Sequence, residues 1–165
     1  LNKKKEINNH EFESHLIGHL QSNKIKKAIQ NFDVIQTVDT ISLAQKINTQ
    51  MENLEIKKNI FIQINVGNDP QKFGFSVKNI FKKVETINKM KHLQIDGIMT
   101  ILPLLDKASS SEKMFDKTRK IAHKIKNNIT PTCSKLSMGM SQDYVYALKQ
   151  GATHIRIGTL LYGNR

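Results

Sequence analysis

The sequence predicts an α/β protein built on a parallel sheet. Along its 165 residues, short apolar runs alternate with segments that carry apolar residues every three or four positions. The run at 59–66 consists mainly of Ile, Phe and Val and contains neither Gly nor Pro, which is typical of a strand covered on both faces. Six predicted strands alternate with helices, so successive strands run parallel through right-handed crossovers.

Local signals set the expected bounds of these elements. Strands are predicted over 15–20, 34–38, 59–66, 93–102, 135–140 and 154–157, with helices at 21–30, 39–53, from 76 onward, and at 110–127 and 142–150. Pro103 ends the fourth strand because it cannot donate to a ladder. Ser141 stands where a helix N-cap is expected, Asp143 would complement the dipole from the first turn, and Gly151 ends that helix.

Composition narrows the class of protein. The net charge is +12, from 26 Lys+Arg against 14 Asp+Glu, which raises the hypothesis of nucleic-acid binding. The basic residues are scattered singly and in short runs such as Lys3–Lys5, so we expect no specific nucleic-acid partner. The single cysteine, Cys133, excludes an internal disulfide. No apolar run could span a bilayer, and the polar tail at 1–13 is not a signal peptide, so we expect a cytoplasmic protein without a membrane partner.

The last thirty residues hold the strongest functional signal. Two strand-to-helix turns there offer backbone N–H groups, hydroxyls and glycines, which together can cradle an anion. In the last strand, His154, Arg156 and Gly158 share one face, and the parity of the isoleucines places that face inward. An inward arginine must pair with an internal carboxylate or face a ligand, and the residues alone leave both interpretations open.

Four motifs in order resemble those of the pyridoxal phosphate homeostasis protein family. The segment SMGMS at 137–141, followed by RIGT at 156–159, resembles the family's C-terminal signature. HLIGHLQSNK at 15–24, the strand at 62–66 with the loop at 72–75, and GIMT at 97–100 with Pro103 are similar to its other motifs. These motifs cover nearly the whole chain, from about residue 15 to residue 165.

The resemblance implies a fold and a function. Family members are single-domain (β/α)8 barrels of the TIM-barrel type, related to the N-terminal domain of alanine racemase. Residues 1–165 would form one such domain with about six strands, the first two βα units being missing. The implied function is non-catalytic binding of pyridoxal 5′-phosphate in vitamin B6 homeostasis, by a cytoplasmic monomer.

One departure from the family concerns the covalent anchor. The family's first strand ends in a lysine that forms an imine with pyridoxal phosphate, and this sequence has no counterpart. Lys24 and Lys72 match family positions but would not replace that lysine. The sequence therefore predicts an N-terminally truncated, degenerate member whose cofactor binding is weakened or lost.

The same resemblance implies which residues contact the cofactor. Arg156 would face the pyridine nitrogen, and the others would hold the phosphate: Ser137, Met140, Ser141, Gly158 and Thr159. No catalytic residue is expected. No metal site is expected either, since His15 and His19 lack an accompanying carboxylate cluster. Asn65 would either approach the ring or cap the following loop, and Met99, Met138 and Met140 are expected in the barrel core.

Two alternatives stand beside this hypothesis. The first is a remnant of a racemase-like enzyme, disfavoured because the anchoring lysine and a second, all-β domain with an acid/base tyrosine are missing. The second is a basic protein that binds nucleic acid or another phosphate ligand, which the net charge of +12 would favour.

Overall fold

The computed structural model describes residues 12–103 and 108–163. The strands are β1 (His15–Leu16), β2 (Val34–Val38), β3 (Lys58–Asn65), β4 (Phe75–Ser76), β5 (Leu93–Thr100), β6 (Lys135–Met140) and β7 (His154–Arg156). The helices are α1 (Ile25–Asn31), α2 (Ile41–Glu52), α3 (Ile80–Asn88), α4 (Ala108–Asn128), α5 (Tyr144–Lys149) and α6 (Thr159–Tyr162). Short 3₁₀ turns at Ser22–Lys24 and Val77–Asn79 lead into α1 and α3. Most of the predicted polar tail, up to position 11, lies outside the described residues.

The sheet is parallel throughout and curls into part of a barrel. Its order is β1-β2-β3-β5-β6-β7, with the short β4 pairing beside the end of β3. Within the described residues β1 and β7 each have a neighbour on one side only. Their inward side chains nevertheless meet, because the rings of His15 and His154 lie 5.4 Å apart between centroids. The prediction of an incomplete (β/α)8 barrel with about six strands is thereby confirmed.

Two apolar layers hold this curled sheet together. The larger one lies between the strands and the helices, and it includes Ile47 of α2, Ile98 of β5 and Phe115 of α4, all fully or almost fully buried. A smaller cluster of Val34, Phe61 and Met99 lies on the other face of the sheet. Burial on both faces explains the near-continuous apolar strands, as in other parallel sheets. No helix in the described part of the chain combines the length and hydrophobicity needed to cross a bilayer.

Several sequence-based bounds are corrected by the structure. The first strand covers two residues rather than six, and the two-residue β4 and four-residue α6 were not predicted. Segments this short carry too few residues for a periodic pattern. The helix predicted from residue 142 begins at Tyr144, so Ser141 is not its N-cap. Asp143 occupies that position, and its carboxylate accepts a hydrogen bond from the Met140 N–H at 2.6 Å. Met140 was expected in the core but is 45% exposed, because it ends β6 and enters the turn.

Two glycines permit close backbone approaches around β6. A Cβ on Gly97 would collide with the backbone carbonyl of Lys135 and would lie 2.8 Å from the Phe61 ring. Gly139 has a φ of +93°, and a Cβ there would lie 2.6 Å from the Cβ of Ala147 in α5. Both positions therefore set how closely β6 can pack on its neighbours.

We expect Gly97→Ala to destabilise the fold by about 3 kcal/mol, because β5 and β6 must separate to accommodate the added methyl group. Urea unfolding followed by circular dichroism would measure the change. Gly18→Ala is the matched control, since nothing lies within 4 Å of its added Cβ. Equal midpoints for both variants would contradict the close approach of β5 and β6.

Cys133 offers a second test of the fold. It is 1% exposed, and burial raises the pKa of its thiol to about 12. The pKa of an unfolded cysteine is about 8.5, so the reactive thiolate is scarce at pH 8 only while the chain is folded. We expect iodoacetamide to modify Cys133 at least about a hundredfold faster in denaturant than in buffer. Equal rates, followed by mass spectrometry, would show that the thiol is not buried.

Candidate functional site

The carboxyl ends of β5, β6 and β7 meet around the side chain of Arg156. Its Nη1 donates to Ser137 Oγ at 2.8 Å and its Nη2 donates to the Thr100 carbonyl at 2.7 Å. Burial lowers the pKa of Arg156 to about 10, and the negative charge of Asp143 acts in the opposite direction. The guanidinium therefore stays protonated at neutral pH, with its positive charge turned into the barrel.

The structure distinguishes between the two roles considered for this arginine. Over 12–103 and 108–163, no carboxylate forms a salt bridge with Arg156. A guanidinium carries five N–H donors, and only two of them have protein acceptors in this part of the chain. An internal ion pair is therefore not what holds Arg156 here, and the side chain keeps donors for a ligand.

A second group of donors lies beside it, between the ends of β6 and β7. The N–H groups of Gly158 and Leu160 both point at the hydroxyl of Ser141, at 3.2 and 3.4 Å. Gly158 has no atom within 4 Å of the place where a Cβ would stand, so open space adjoins these donors. Thr159, the first residue of α6, exposes its side chain next to them. Convergent N–H groups and hydroxyls beside open space form a cradle suited to an oxyanion.

Two of the residues predicted to hold the phosphate, Met140 and Ser137, do not lie with the other three. The Met140 N–H is already bound to the Asp143 carboxylate. The Ser137 hydroxyl lies against Arg156, toward the barrel interior, and not among the donors around Ser141. A direct role of these two residues in holding a phosphate stays a prediction. Ser141, Gly158 and Thr159 are brought together.

Behind Arg156 a chain of hydrogen bonds crosses the barrel interior. Because arginine can only donate to Ser137 Oγ, the Ser137 hydroxyl proton must point to Gln36 Oε1, at 2.6 Å. This orients the Gln36 amide, whose Nε2 then donates to His15 Nδ1 at 2.7 Å. The ring proton of neutral His15 is thereby placed on Nε2, which lies 2.8 Å from a Glu13 carboxylate oxygen.

Gln36 was missed by the sequence analysis. It is 3% exposed in the middle of β2, where all five residues are buried. An amide inside an otherwise buried strand was the available signal, because a buried polar side chain must have partners. Which partners it has depends on β1 and β6, which lie far from it in the sequence.

Aromatic and imidazole rings fill the neighbouring layer of the interior. The Phe61 ring lies 6.3 Å from His15 and 5.6 Å from His154, between centroids. Burial lowers the pKa of His154, and the nearby His15 and Lys135 lower it further. His154 is therefore neutral near pH 7 and carries a lone pair on one ring nitrogen.

Two other candidate residues from the sequence, Asn65 and His19, have partners elsewhere in the protein. Asn65 donates to the carbonyls of Asp69 and Lys72 and accepts from the Asp69 N–H, so it caps the loop after β3. His19 lies 3.3 Å from the Asp39 carboxylate and stacks on Phe73, and it does not join His15 in a ligand pair. Lys24 and Lys72 are exposed.

Two described lysines pack against the sheet, and both have hydrogen-bond partners within the protein. Lys58 Nζ donates to the carbonyls of Ile29 and Phe32, at 3.0 and 2.8 Å. Lys135 Nζ lies 2.9 Å from the Asp96 carboxylate, and this hydrogen bond raises the pKa of the ammonium group. The remaining lysines of the described ranges are exposed. None of the described lysines is thus placed as a buried amine beside Arg156.

Comparison with known proteins assigns the family. The family model for the alanine racemase N-terminal domain matches residues 6–165. A pyridoxal phosphate homeostasis protein of Synechocystis is 36% identical over 151 residues, which are 92% of this chain and 69% of that protein. One from Aquifex aeolicus is 33% identical over 94% of this chain and 68% of its own length.

Comparison with solved structures supports the same family. PipY of Synechococcus elongatus, determined without pyridoxal phosphate, has a TM-score of 0.90 at 33% identity and covers 98% of this chain and 76% of its own. The same protein with the cofactor bound has a TM-score of 0.87 at 30% identity over 74% of its length. An unknown protein from Bifidobacterium adolescentis matches with a TM-score of 0.84 at 32% identity, and this chain spans 58% of its length.

More distant neighbours share the fold alone. An alanine racemase of Clostridium difficile has a TM-score of 0.77 at 18% identity, and the match covers 99% of this chain but 42% of the racemase. The matching family model, the curated relatives and the parallel curled sheet all lead to one assignment. This chain belongs to the alanine racemase N-terminal domain family and, within it, to the pyridoxal phosphate homeostasis proteins.

Proposed function

We propose that this chain binds pyridoxal 5′-phosphate and serves in the intracellular homeostasis of that cofactor. The observation that carries the proposal is the inward Arg156, a protonated guanidinium with spare donors and no salt bridge in the described residues. The PLP-bound structure of PipY, at 30% identity, supports the same ligand class.

Arg156 is the proposed contact to the pyridine nitrogen. A guanidinium has no acceptor, so it can only donate to that nitrogen and keeps it unprotonated. Bound pyridoxal phosphate supplies an aldehyde and an aromatic ring that accepts electrons best when its nitrogen is protonated. An arginine at this position therefore favours holding and releasing the cofactor over demanding chemistry on it.

The phosphate is proposed to lie at the cradle of Ser141, Gly158 and Thr159. In the structure the Ser141 hydroxyl accepts from the N–H groups of Gly158 and Leu160, so a phosphate oxygen could take over as their acceptor. Ser137 supports Arg156 from behind, and Met140 lines the exposed edge of the site. The donor set, one cation together with hydroxyls and backbone N–H groups, fits a phosphate monoester.

We infer that the protein is not an enzyme. The described lysines that pack against the sheet, Lys58 and Lys135, are held by carbonyls and by Asp96. Since none of the described lysines lies as a buried amine beside Arg156, the described residues offer no group there that could form an imine with the cofactor. The proposed role also implies a cytoplasmic monomer without a specific nucleic-acid partner. The free, buried Cys133 and the basic residues dispersed along the chain support this part of the proposal.

Arg156→Gln is the direct test of the proposed function. We expect at least a tenfold loss of affinity for pyridoxal phosphate, because the replacement removes a positive charge and most of its donors. Binding would be followed by cofactor fluorescence and by the thermal midpoint. Arg119→Gln, on the exposed side of α4, is the matched control. Equal affinities in both variants would refute the role of Arg156.

Gln36→Leu tests the hydrogen-bond chain behind the site. We expect a loss of about 1–3 kcal/mol in unfolding free energy, because Ser137 and His15 each lose a buried partner. We also expect weaker pyridoxal phosphate binding, since Ser137 no longer holds Arg156 in place. Gln45→Leu, on the exposed face of α2, serves as the control. Unchanged binding and stability would show that the chain of bonds does not support the site.

A further inference from the structure

A second cluster of polar side chains lies where β1 and β7 approach each other, outside the proposed cofactor contacts. We propose that Glu13, His15 and His154 form a binding site for one zinc-type divalent metal ion. One ligand atom from each of these three side chains lies within 4.8 Å of the other two. His15 begins the first edge strand, β1, Glu13 lies two residues before it, and His154 begins the last strand, β7.

The chemistry of the three groups fits such an ion. Two imidazoles and a carboxylate are a common protein ligand set for zinc, with a fourth position left for water. Tetrahedral ligands at about 2.1 Å from the ion lie roughly 3.4 Å apart. Separations of up to 4.8 Å in the cluster must therefore shorten by up to about 1.4 Å, while His15 Nε2 and Glu13 Oε2, now 2.8 Å apart, must move slightly away from each other. Glu13 is exposed and both histidines are half-buried, so the carboxylate can move and an ion can enter from solvent.

His154 already has the hydrogen bond that a metal ligand needs. Thr153 Oγ1 accepts the Leu136 N–H at 2.8 Å and gives its proton to the Leu136 carbonyl at 3.1 Å. His154 Nδ1, 2.8 Å from the same oxygen, must then be the donor. The proton is thereby placed on Nδ1, which leaves a lone pair on Nε2 for a metal ion, as in many zinc sites.

His15 requires one rearrangement. A metal ion on its Nε2 takes the place of the proton shared with Glu13, so the ring proton moves to Nδ1 and needs an acceptor there. Turning the Gln36 amide supplies Oε1 to His15 and directs Nε2 to Ser137, at the positions that the amide already occupies. Ser137 Oγ then accepts from both Gln36 and Arg156, and its own hydroxyl proton gives up Gln36 Oε1 as acceptor, so the turn has a cost. Gln36 then supports the metal ligand on one side and Ser137 on the other.

This geometry distinguishes a metal site from simple packing of rings. If His15 and His154 only fill the space beside Phe61, replacing Gln36 by a glutamate would not change the affinity of the protein for a metal ion. In a metal site, a carboxylate at position 36 accepts from His15 and from Ser137 without any turning. Such carboxylate–histidine–metal arrangements strengthen binding through the orientation and basicity of the imidazole.

The test is a calorimetric titration of the full 165-residue chain with zinc chloride, with cobalt absorption spectra as a second measurement. We expect one zinc ion per chain and visible cobalt bands of a four-coordinate site. Glu13→Gln and His154→Ala should each weaken binding at least tenfold, because each removes one ligand. Gln36→Glu should tighten it about tenfold. His123→Ala, an exposed histidine on α4, should leave it unchanged.

Several outcomes would overturn the proposal. They are no binding to the wild-type chain, equal losses in His123→Ala and His154→Ala, or no change of affinity in Glu13→Gln. Glu13 is exposed, so Glu13→Gln keeps the test independent of folding. Thermal midpoints without metal identify any other variant that has unfolded. Since pyridoxal phosphate takes no part in the titration, the outcome is separate from that of the proposed function.

Discussion

The hydrogen bonds that Arg156 makes to Ser137 and to the Thr100 carbonyl are the interaction on which the rest of this site depends. They join β7, β6 and β5 at their carboxyl ends and keep a protonated guanidinium inside the barrel. Burying that charge without a carboxylate partner is unfavourable, as the lowered pKa of Arg156 indicates. In the proposed function, the cofactor uses the remaining donors.

The direction of each hydrogen bond behind Arg156 follows from this single constraint. Arginine cannot accept, so the proton positions on Ser137, Gln36 and His15 are settled in turn. The chain ends at Glu13, beside the second edge strand's His154. The proposed cofactor contact and the proposed metal ligands are therefore linked by one buried polar network, in which the orientation of one amide matters to both.

The curl of the sheet makes this network possible. Two edge strands that are far apart in the sheet order, β1 and β7, bring His15 and His154 within ring contact. Close approaches at Gly97 and Gly139 hold β6 against β5 and α5, and so fix the strand that carries Ser137. The large apolar layer between the strands and the helices covers the outer face of the sheet and thus supports the polar interior. Such cover is usual for parallel sheets, whose two faces are both buried.

The family resemblance implied Ser141, Gly158 and Thr159 as phosphate contacts. The sequence alone determined the alternation of strands and helices and the inward face of the last strand, because these depend on local periodicity. It could not place Ser137 against Arg156, expose Met140 or start α5 at Tyr144, since these depend on how β6 meets its neighbours. The partners of Gln36 and the meeting of Glu13, His15 and His154 were decided only by tertiary structure. The residues involved come from distant parts of the chain, and only the curl of the sheet brings them together.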